Sequence, residues 1–514
     1  MTLTQWIIFF ILINLVHGAG TWKFYQKAGV DAWKAFVPFL NVYELMHVIN
    51  RPTWWAVFIF IPVVNLLMFP VIWVQLLEVF GKKGKGIWLA LFTFGFYIAY
   101  LNYTEADRLQ YQPEHKNNKD TLIGSIIFAV IAATIVHTYF FQPFTIPTGS
   151  LEKSYLIGDY LIISKMHYGA RAPMTTVSLP MVHDTIPLIH SRSYLKKPQL
   201  PYFRIPGFQK VKNNDIVVFN WPADTVVKFF HNDPAQYKPI DKKSNYVKRC
   251  VAIGGDSMQI KNGIVYINGH EVVYPDRAKL QNLYLVKTKP EQLFTRQTIG
   301  RLVKNYKIKE IFSGAKKGTY IMNLTDDKLT LVKALSNVES IEMYNTAKGE
   351  LFGGNPDWDI NNFGPIYIPK KGDVLELNKE TYPFYKKIIN QYDLNDAKHK
   401  LDNREVVLKG NDVYIDGKLT KEYTVNQNYY WMMGDNRGES EDSRFWGYVP
   451  FDHVVGKPVF IFMSIDKETG KIRWDRVFTT VSGSGKRISY LWPFIGLIVL
   501  YFIGDKFFRR KKSA

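Results

Sequence analysis

The apolar positions along this chain fall into two regimes. In the first they form long runs: four lie before residue 142 and one after residue 487. The most continuous run, Thr121–Phe141 (TLIGSIIFAVIAATIVHTYFF), contains no acid or base except His137. At about 20 residues it matches a hydrocarbon core of ~30 Å and predicts a transmembrane helix. Trp54–Phe80 and Ile87–Tyr103 are further candidates, the first interrupted by Pro62, Asn65 and Pro70 and therefore kinked or re-entrant. Trp6–Val16 is apolar and is followed by the small residues of HGAG, but no Lys or Arg precedes Trp6. It is expected to be an uncleaved anchor rather than a secretory signal. Ile488–Ile503 is followed by Lys506, Arg509, Arg510, Lys511 and Lys512, the cations expected at the cytoplasmic end of a span.

That basic tail orients the rest. With it inside, the last span starts outside, Thr121–Phe141 runs outward, and everything between them is external to the cytoplasm. One loop conflicts: counting back from Thr121 puts the basic GKKGKG at residues 81–86 outside as well. The number of N-terminal spans is accordingly three or four.

In the second regime, between the membrane runs, apolar residues come in short β-like stretches bounded by Gly, Asn and Asp. NNDIVVFNWP (213–222), NYVKRCVAIGGD (245–256) and HVVGKPVFIFM (453–463) predict strands. QIKNGIVYINGH (259–270) and VLKGNDVYIDGK (407–418) echo one another as hairpins closed by Asn-Gly or Asp-Gly, through duplication or convergence. Residues 275–404 are Lys-rich and less regular, with helical spacing over Tyr382–Lys400, and read as an inserted α+β subdomain. The expected organisation is a membrane region at 1–120 with about three apolar segments, a transmembrane helix at 121–141, a β domain in two parts at 142–274 and 405–485 around the insertion, and a C-terminal helix with its basic tail at 486–514.

Sixty-five Lys and Arg against 45 Asp and Glu give a net charge of +20. No zinc-finger, RRM-like or helix-turn-helix pattern accompanies that charge, so no nucleic-acid partner is expected, and the cations are assigned to juxtamembrane positions facing anionic lipid. The single cysteine, Cys250, excludes an internal disulfide. The eleven histidines show no H-E-x-x-H pairing and no phosphate-binding G-x-x-x-x-G-K-[ST] loop occurs, so neither a metal nor another cofactor is implied.

The candidate chemistry begins at IPTGSLEKSYLIGD (146–159), where Ser150 and Lys153 spell S-x-x-K. The pair shares a face only if residues 150–153 are helical. The following residues read instead as strand around a glycine, and the S-D-N and K-T-G elements that accompany S-x-x-K acyl-serine enzymes are missing. A different base is indicated by the order of four blocks, IPTGSLEKSYLIGDYLIISK, DIVVF, YVKRCVAIGGD and MMGDNRGESEDSRFWGYVP, which closely resembles the bacterial type I signal peptidase (leader peptidase) family. The last block is the most specific. The resemblance covers the soluble part in pieces and omits the insertion and the first hundred or so residues.

The resemblance implies a mostly β catalytic domain of antiparallel sheets, interrupted here by the inserted subdomain and anchored by several transmembrane helices. It implies Ser150 as nucleophile, Lys248 as general base, Thr148 with the Ser150 N–H as the oxyanion hole, and Ser440 as the hydroxyl that orients the lysine. Asp442 and Arg444 are implied as an ion pair, and Asp435 and Arg437 as structural support. Leu151 stands where the family usually has methionine, which implies an altered fit to substrate and membrane at that edge. The implied substrates are signal peptides of exported preproteins. The implied location is the bacterial cytoplasmic (inner) membrane, multi-pass, with the catalytic domain on the outer, periplasmic side and with the lipid bilayer and the secretion machinery as further partners. The residues themselves favour Lys248 over Lys153: a catalytic lysine needs its pKa brought from ~10.4 towards 7–8 by apolar burial, and Lys248 lies among Tyr246, Val247, Cys250, Val251 and Ile253, whereas Lys153 adjoins Glu152. Two rival expectations are an S-x-x-K enzyme acting on cell-wall peptides and an export scaffold whose site has decayed.

Overall fold

The computed structural model describes residues 3–113, 122–189, 191–224, 237–345, 348–393 and 404–512. Among them one helix, Thr4–Lys27, is long and apolar enough to cross a membrane, while Val64–Val79, Ser125–Phe140 and Leu491–Gly504 are apolar but shorter. The several membrane-length helices expected from the apolar runs therefore reduce to one by this measure. For two of the runs the reason is local. The run 54–80 breaks at Ile61–Val63, where Pro62 cannot continue a helix and Val63 turns at φ +70. The run 87–103 becomes Lys85–Phe92 and Phe96–Thr104, separated by a turn in which Gly95 has φ +86 and a Cβ would lie 2.7 Å from the Trp73 ring. At ~1.5 Å per residue Lys85–Phe92 and Phe96–Thr104 each span less than half of a ~30 Å core. These short helices bury their apolar faces on one another, in a cluster that includes Tyr25, Met46, Leu76, Leu101 and Ile131. Inside it Asn41 donates to Asn14 (2.9 Å) and Tyr25 donates to the Asn41 carbonyl (2.6 Å), so the buried amides are satisfied.

The β part of the expectation is borne out. Eight strands form the main sheet: β1 (Phe141–Thr145), β2 (Asp159–Ser164), β3 (Ile216–Asn220), β4 (Asn245–Ile253), β5 (Tyr429–Met433), β6 (Val449–Pro450), β7 (Val454–Ser464) and β8 (Thr479–Thr480). Their order is β1-β2-β7-β3-β4-β5-β6, with β8 beside β7, and every pairing is antiparallel. The eleven-residue β7 serves both halves, pairing with β2 through Lys457–Ser464 and with β3 through Val454–Gly456. Register shifts along it bend the sheet, and at Gly456 a Cβ would sit 2.6 Å from the Ser164 carbonyl. β3 is buried on both faces: Ile216 and Val218 join a core with Leu161 and Ile461, while Val217 and Phe219 join Cys250 and Met432.

The two echoing hairpins are three-stranded meanders, Ser257–Lys261/Ile264–Ile267/His270–Glu271 and Val406–Lys409/Asp412–Ile415/Lys418–Leu419. Their tight turns use positive φ at Asn268-Gly269 and Asp416-Gly417. Residues 275–404, read from sequence as one insertion, are organised as two parts. Residues 282–343 form a β-α-β-β-α-β unit whose strands lie in the order Val338–Met343, Asn282–Thr288, Thr319–Leu324, Ile311–Ser313. It has its own core of Val286, Leu302, Met322 and Val332. The following stretch instead returns to the catalytic domain: Phe363–Tyr367 pairs with Ser257–Lys261, and Phe363 shares a core with Val251, Met258 and Trp431. The helical spacing seen over Tyr382–Lys400 appears as helix over Tyr382–Tyr392, and residues 394–403 lie outside the described residues.

Candidate active site

β1 leads directly into the short 3₁₀ turn Gly149–Leu151, which carries Ser150 at 9 % exposure. The turn is held from below by Leu151, buried among Tyr155, Leu161 and Ile216. The edge position expected for Leu151 is thereby corrected: its side chain fills the core under the nucleophile turn. From above, Asn436 donates its backbone N–H to the Ser150 carbonyl and its side-chain N–H to the Gly149 carbonyl, both at 3.1 Å. Thr148 is exposed and extended, and its hydroxyl caps no backbone N–H of the turn.

The chain does not continue as helix. Glu152 is extended (ψ 150) and Lys153 sits at φ +68, so Ser150 and Lys153 share no helix face. The Lys153 ammonium donates instead to the Lys307 carbonyl at 3.4 Å.

Lys248 lies on β4 opposite Val217 of β3. On its other side β5 pairs Met433 with Arg249, the neighbour of Lys248, after a register shift between Trp431 and Met432, and Gly434 follows directly. Gly434 is where the elements converge: a Cβ there would stand 2.4 Å from the Ser150 carbonyl oxygen and 2.3 Å from Ser440 Oγ. Only glycine lets the nucleophile turn and the serine loop close on this strand end. Ser440, 4 % exposed, has a hydroxyl oxygen with no hydrogen-bond partner among the described residues. Lys248, also 4 % exposed, is pushed by burial down to about 8, against the upward pull of Asp442 and with a further downward push from Arg444.

Two buried ion pairs brace this junction. Arg249 grips Asp435 through Nε (2.7 Å) and Nη2 (2.6 Å), and Arg444 grips Asp442 through Nε and Nη2, both at 2.9 Å. Burial opposes ionisation of both carboxylates, but the facing guanidiniums outweigh it and hold them below the usual range, Lys248 adding to the effect on Asp442. Asp442 also accepts the Gly434 N–H (3.1 Å), Arg444 donates to the Arg437 carbonyl (2.6 Å), and Arg437 donates to Tyr274 (2.8 Å). Among the described residues no His, Cys, Asp or Glu cluster is arranged to hold a metal ion.

Sequence reasoning singled out Ser150, Lys248, Ser440, Asp435, Arg437, Asp442 and Arg444, and the fold brings all of them to this junction. It missed Asn436 and Arg249, although the place of Arg249 next to Lys248 on a strand already put it on the opposite face. The contacts from Gln281 and Asn323, described below, left no signal in the pattern.

The family described as "Signal peptidase, peptidase S26" matches residues 120–323 and 368–463, more than half of the chain. The chain belongs to the S26 signal peptidase family. Signal peptidase I of Haemophilus influenzae is 24% identical over 371 residues, covering 70% of this chain and 74% of that protein. Signal peptidase I of Helicobacter pylori (strain 26695) is 22% identical over 379 residues, covering 71% and 94%, and that of Rickettsia felis is 27% identical over 352 residues, covering 68% and 80%. Residues 33–112 match a separate family of unknown function (DUF5684), which coincides with much of the region of short helices. S26 membership makes the protein a serine endopeptidase, and residues 324–367 lie between the two matched segments.

Proposed function

We propose that this peptidase removes N-terminal signal peptides from exported preproteins with Ser150 as nucleophile and Lys248 as general base. The observation that carries the reading is the state of Lys248: a lysine buried at 4 % exposure and brought to about 8, on the strand whose next residue, Arg249, pairs with Met433 just ahead of the glycine against which Ser150 and Ser440 both pack. An ordinary lysine near 10.4 is almost wholly protonated at neutral pH and takes no proton from a serine.

β1 is the first strand of the main sheet and, among the described residues, pairs only with β2 there, which leaves its outer edge open. The substrate extends along that edge and presents its scissile carbonyl to Ser150. Lys248 accepts the Ser150 proton as Oγ bonds to the carbonyl carbon. The oxyanion is met by the Ser150 N–H and the Thr148 hydroxyl, each such donor supplying ~3–4 kcal/mol of transition-state stabilisation. Lysinium then protonates the departing amine as the C–N bond breaks. Water, deprotonated by the same lysine, releases the acyl group, and the proton returns to Ser150. Ser440, whose hydroxyl has no hydrogen-bond partner among the described residues, is the group that orients the amine of Lys248 during the reaction.

The protein is multi-pass, with the catalytic domain on the outer side. Two contacts support this. Trp6, at the start of the first helix, donates to the Gln199 carbonyl of the arm that follows β2 (2.8 Å). Val63 lines a cavity of about 340 Å³ with His137, Lys165 and Asn245. The starts of Leu3–Lys27 and Val64–Val79 then share the side of the catalytic domain, and Val64–Val79 descends to GKKGKG on the opposite side, with the RRKK tail. The positive-inside conflict raised by counting apolar runs disappears once the run 87–103 is a helical hairpin that returns to its own side, as the Lys82–Glu105 ion pair (2.5 Å) indicates.

Cleavage of a preprotein in detergent or lipid by the wild type, Ser150→Ala and Lys248→Ala tests the reading. The wild type cleaves and both variants do not; cleavage by Lys248→Ala at the wild-type rate overturns the dyad.

A further inference from the structure

The β-α-β-β-α-β unit at 282–343 is folded around its own core. Even so, it reaches into the active-site frame with polar side chains that are themselves buried. Asn323, 5 % exposed, donates from Nδ2 to Asn436 Oδ1 at 2.7 Å and to the carboxylate of Glu310 within its own unit, so both of its amide protons are committed. Asn436 is the residue whose backbone and side-chain N–H groups hold the Ser150 and Gly149 carbonyls. Just before the unit, Gln281 brackets the same loop. Its N–H donates to the Asp435 carbonyl (2.9 Å), its carbonyl accepts from Arg437 N–H (2.8 Å), and its side chain donates to the Glu152 carbonyl (3.2 Å). Leu283 packs where a Cβ on Gly438 would stand, 2.3 Å from its Cγ. A continuous line of buried hydrogen bonds therefore runs from the inserted unit through Asn436 to the two residues that carry the nucleophile.

We propose that the inserted unit is part of the catalytic apparatus, and that Asn323 is a positioning residue that fixes the Asn436 side chain and through it the Gly149–Ser150 turn. The proposal rests on the signal-peptidase reading of Ser150. The physical reason for such a brace is that the turn is short and follows an edge strand. An amide that loses its partner in a buried site turns to find another, and a displacement of about 1 Å at a nucleophile lowers the rate by up to ~100-fold.

The test uses the full-length protein with Asn323→Ala, Asn323→Asp, which keeps the size but removes the donor, and Asn436→Ala. Preprotein cleavage by each falls in kcat by about 10- to 100-fold with KM within about twofold. The Asn323→Ala/Asn436→Ala double variant is no slower than the slower single one, because the two act in one line. Hydrogen exchange over residues 149–152 rises in Asn323→Ala while exchange in β3 does not change, a readout that stands even if the wild type shows no cleavage and the signal-peptidase reading fails. Wild-type kcat in both Asn323 variants, strictly multiplicative losses in the double variant, or unchanged exchange at 149–152 overturns the proposal. A lowered Tm with kcat intact likewise overturns it, since that is the mark of a merely structural contact.

Discussion

Lys153 and Lys248 make an instructive pair. One is three residues from Ser150 in sequence, the other almost a hundred, and the fold reverses that ranking. Lys153 lies on a left-handed residue that ends the nucleophile turn, half-buried, with its ammonium on the Lys307 carbonyl of the 282–343 unit and near the partly buried Glu152 carboxyl. Lys248 sits inside a sheet with a neighbouring strand on each side, and burial brings it to about 8. What separates them is burial: Lys248 is 4 % exposed between two strands, whereas Lys153 is only half-buried.

The comparison breaks most decisively through activity. Lys248→Ala lowers kcat/KM for preprotein cleavage by about 10⁴-fold, and adding Ser150→Ala costs little more, since the two work as one unit. Retention of more than a tenth of the activity in Lys248→Ala removes the contrast altogether.

The next effect is on pH. The reactive form of Lys248 is the neutral amine, so kcat/KM rises with pH to a plateau above about 8 and falls about tenfold per unit below it. A pH–rate profile whose acid limb has its midpoint near 5 assigns the base to another group.

Stability sharpens the contrast further. The folded-state value of Lys248 lies below the unfolded one, so between about 8 and 10.5 the unfolded chain binds the extra proton and stability rises with pH; below about 8 both states are protonated and the burden of the buried cation is constant. The shift corresponds to an order of 3 kcal/mol. Lys248→Met is therefore inactive but more stable at pH 7 by a few kcal/mol, a gain that shrinks towards pH 10.5 and is read by thermal unfolding at the two pH values.

The smallest effect is expected at Lys153. Lys153→Ala leaves kcat/KM within about twofold of the wild type at every pH. A large loss there returns the S-x-x-K reading to consideration.

The site was legible in the sequence to the extent that its groups sit in contiguous blocks. The nucleophile turn, the strand bearing Lys248 and the GDNR loop each carry their chemistry within a few residues, and the strands around 213–222, 245–256 and 453–463 follow from β-branched residues between turn residues. The membrane region was less so. Apolar composition recorded that residues 54–103 avoid water, but Val63 and Gly95 decide where the helices stop, and burial against one another then makes short helices sufficient. Residues 275–404 read as one insertion because composition does not report which strand finds which partner; Phe363–Tyr367 pairs back to Ser257–Lys261 across a hundred residues.

By itself, then, the sequence determined the local elements and the reactive groups, since hydrophobic period, turn residues and side-chain chemistry act over a few positions. The tertiary structure decided the electrostatic state of those groups and their company. Lys248 is lowered because β3 and β5 close over it, Asp435 stays ionised because Arg249 reaches it from β4, and Asn436 is gripped by a unit folded around a separate core. Desolvation and hydrogen bonding depend on atoms brought together from distant parts of the chain, and only the packed fold assembles them.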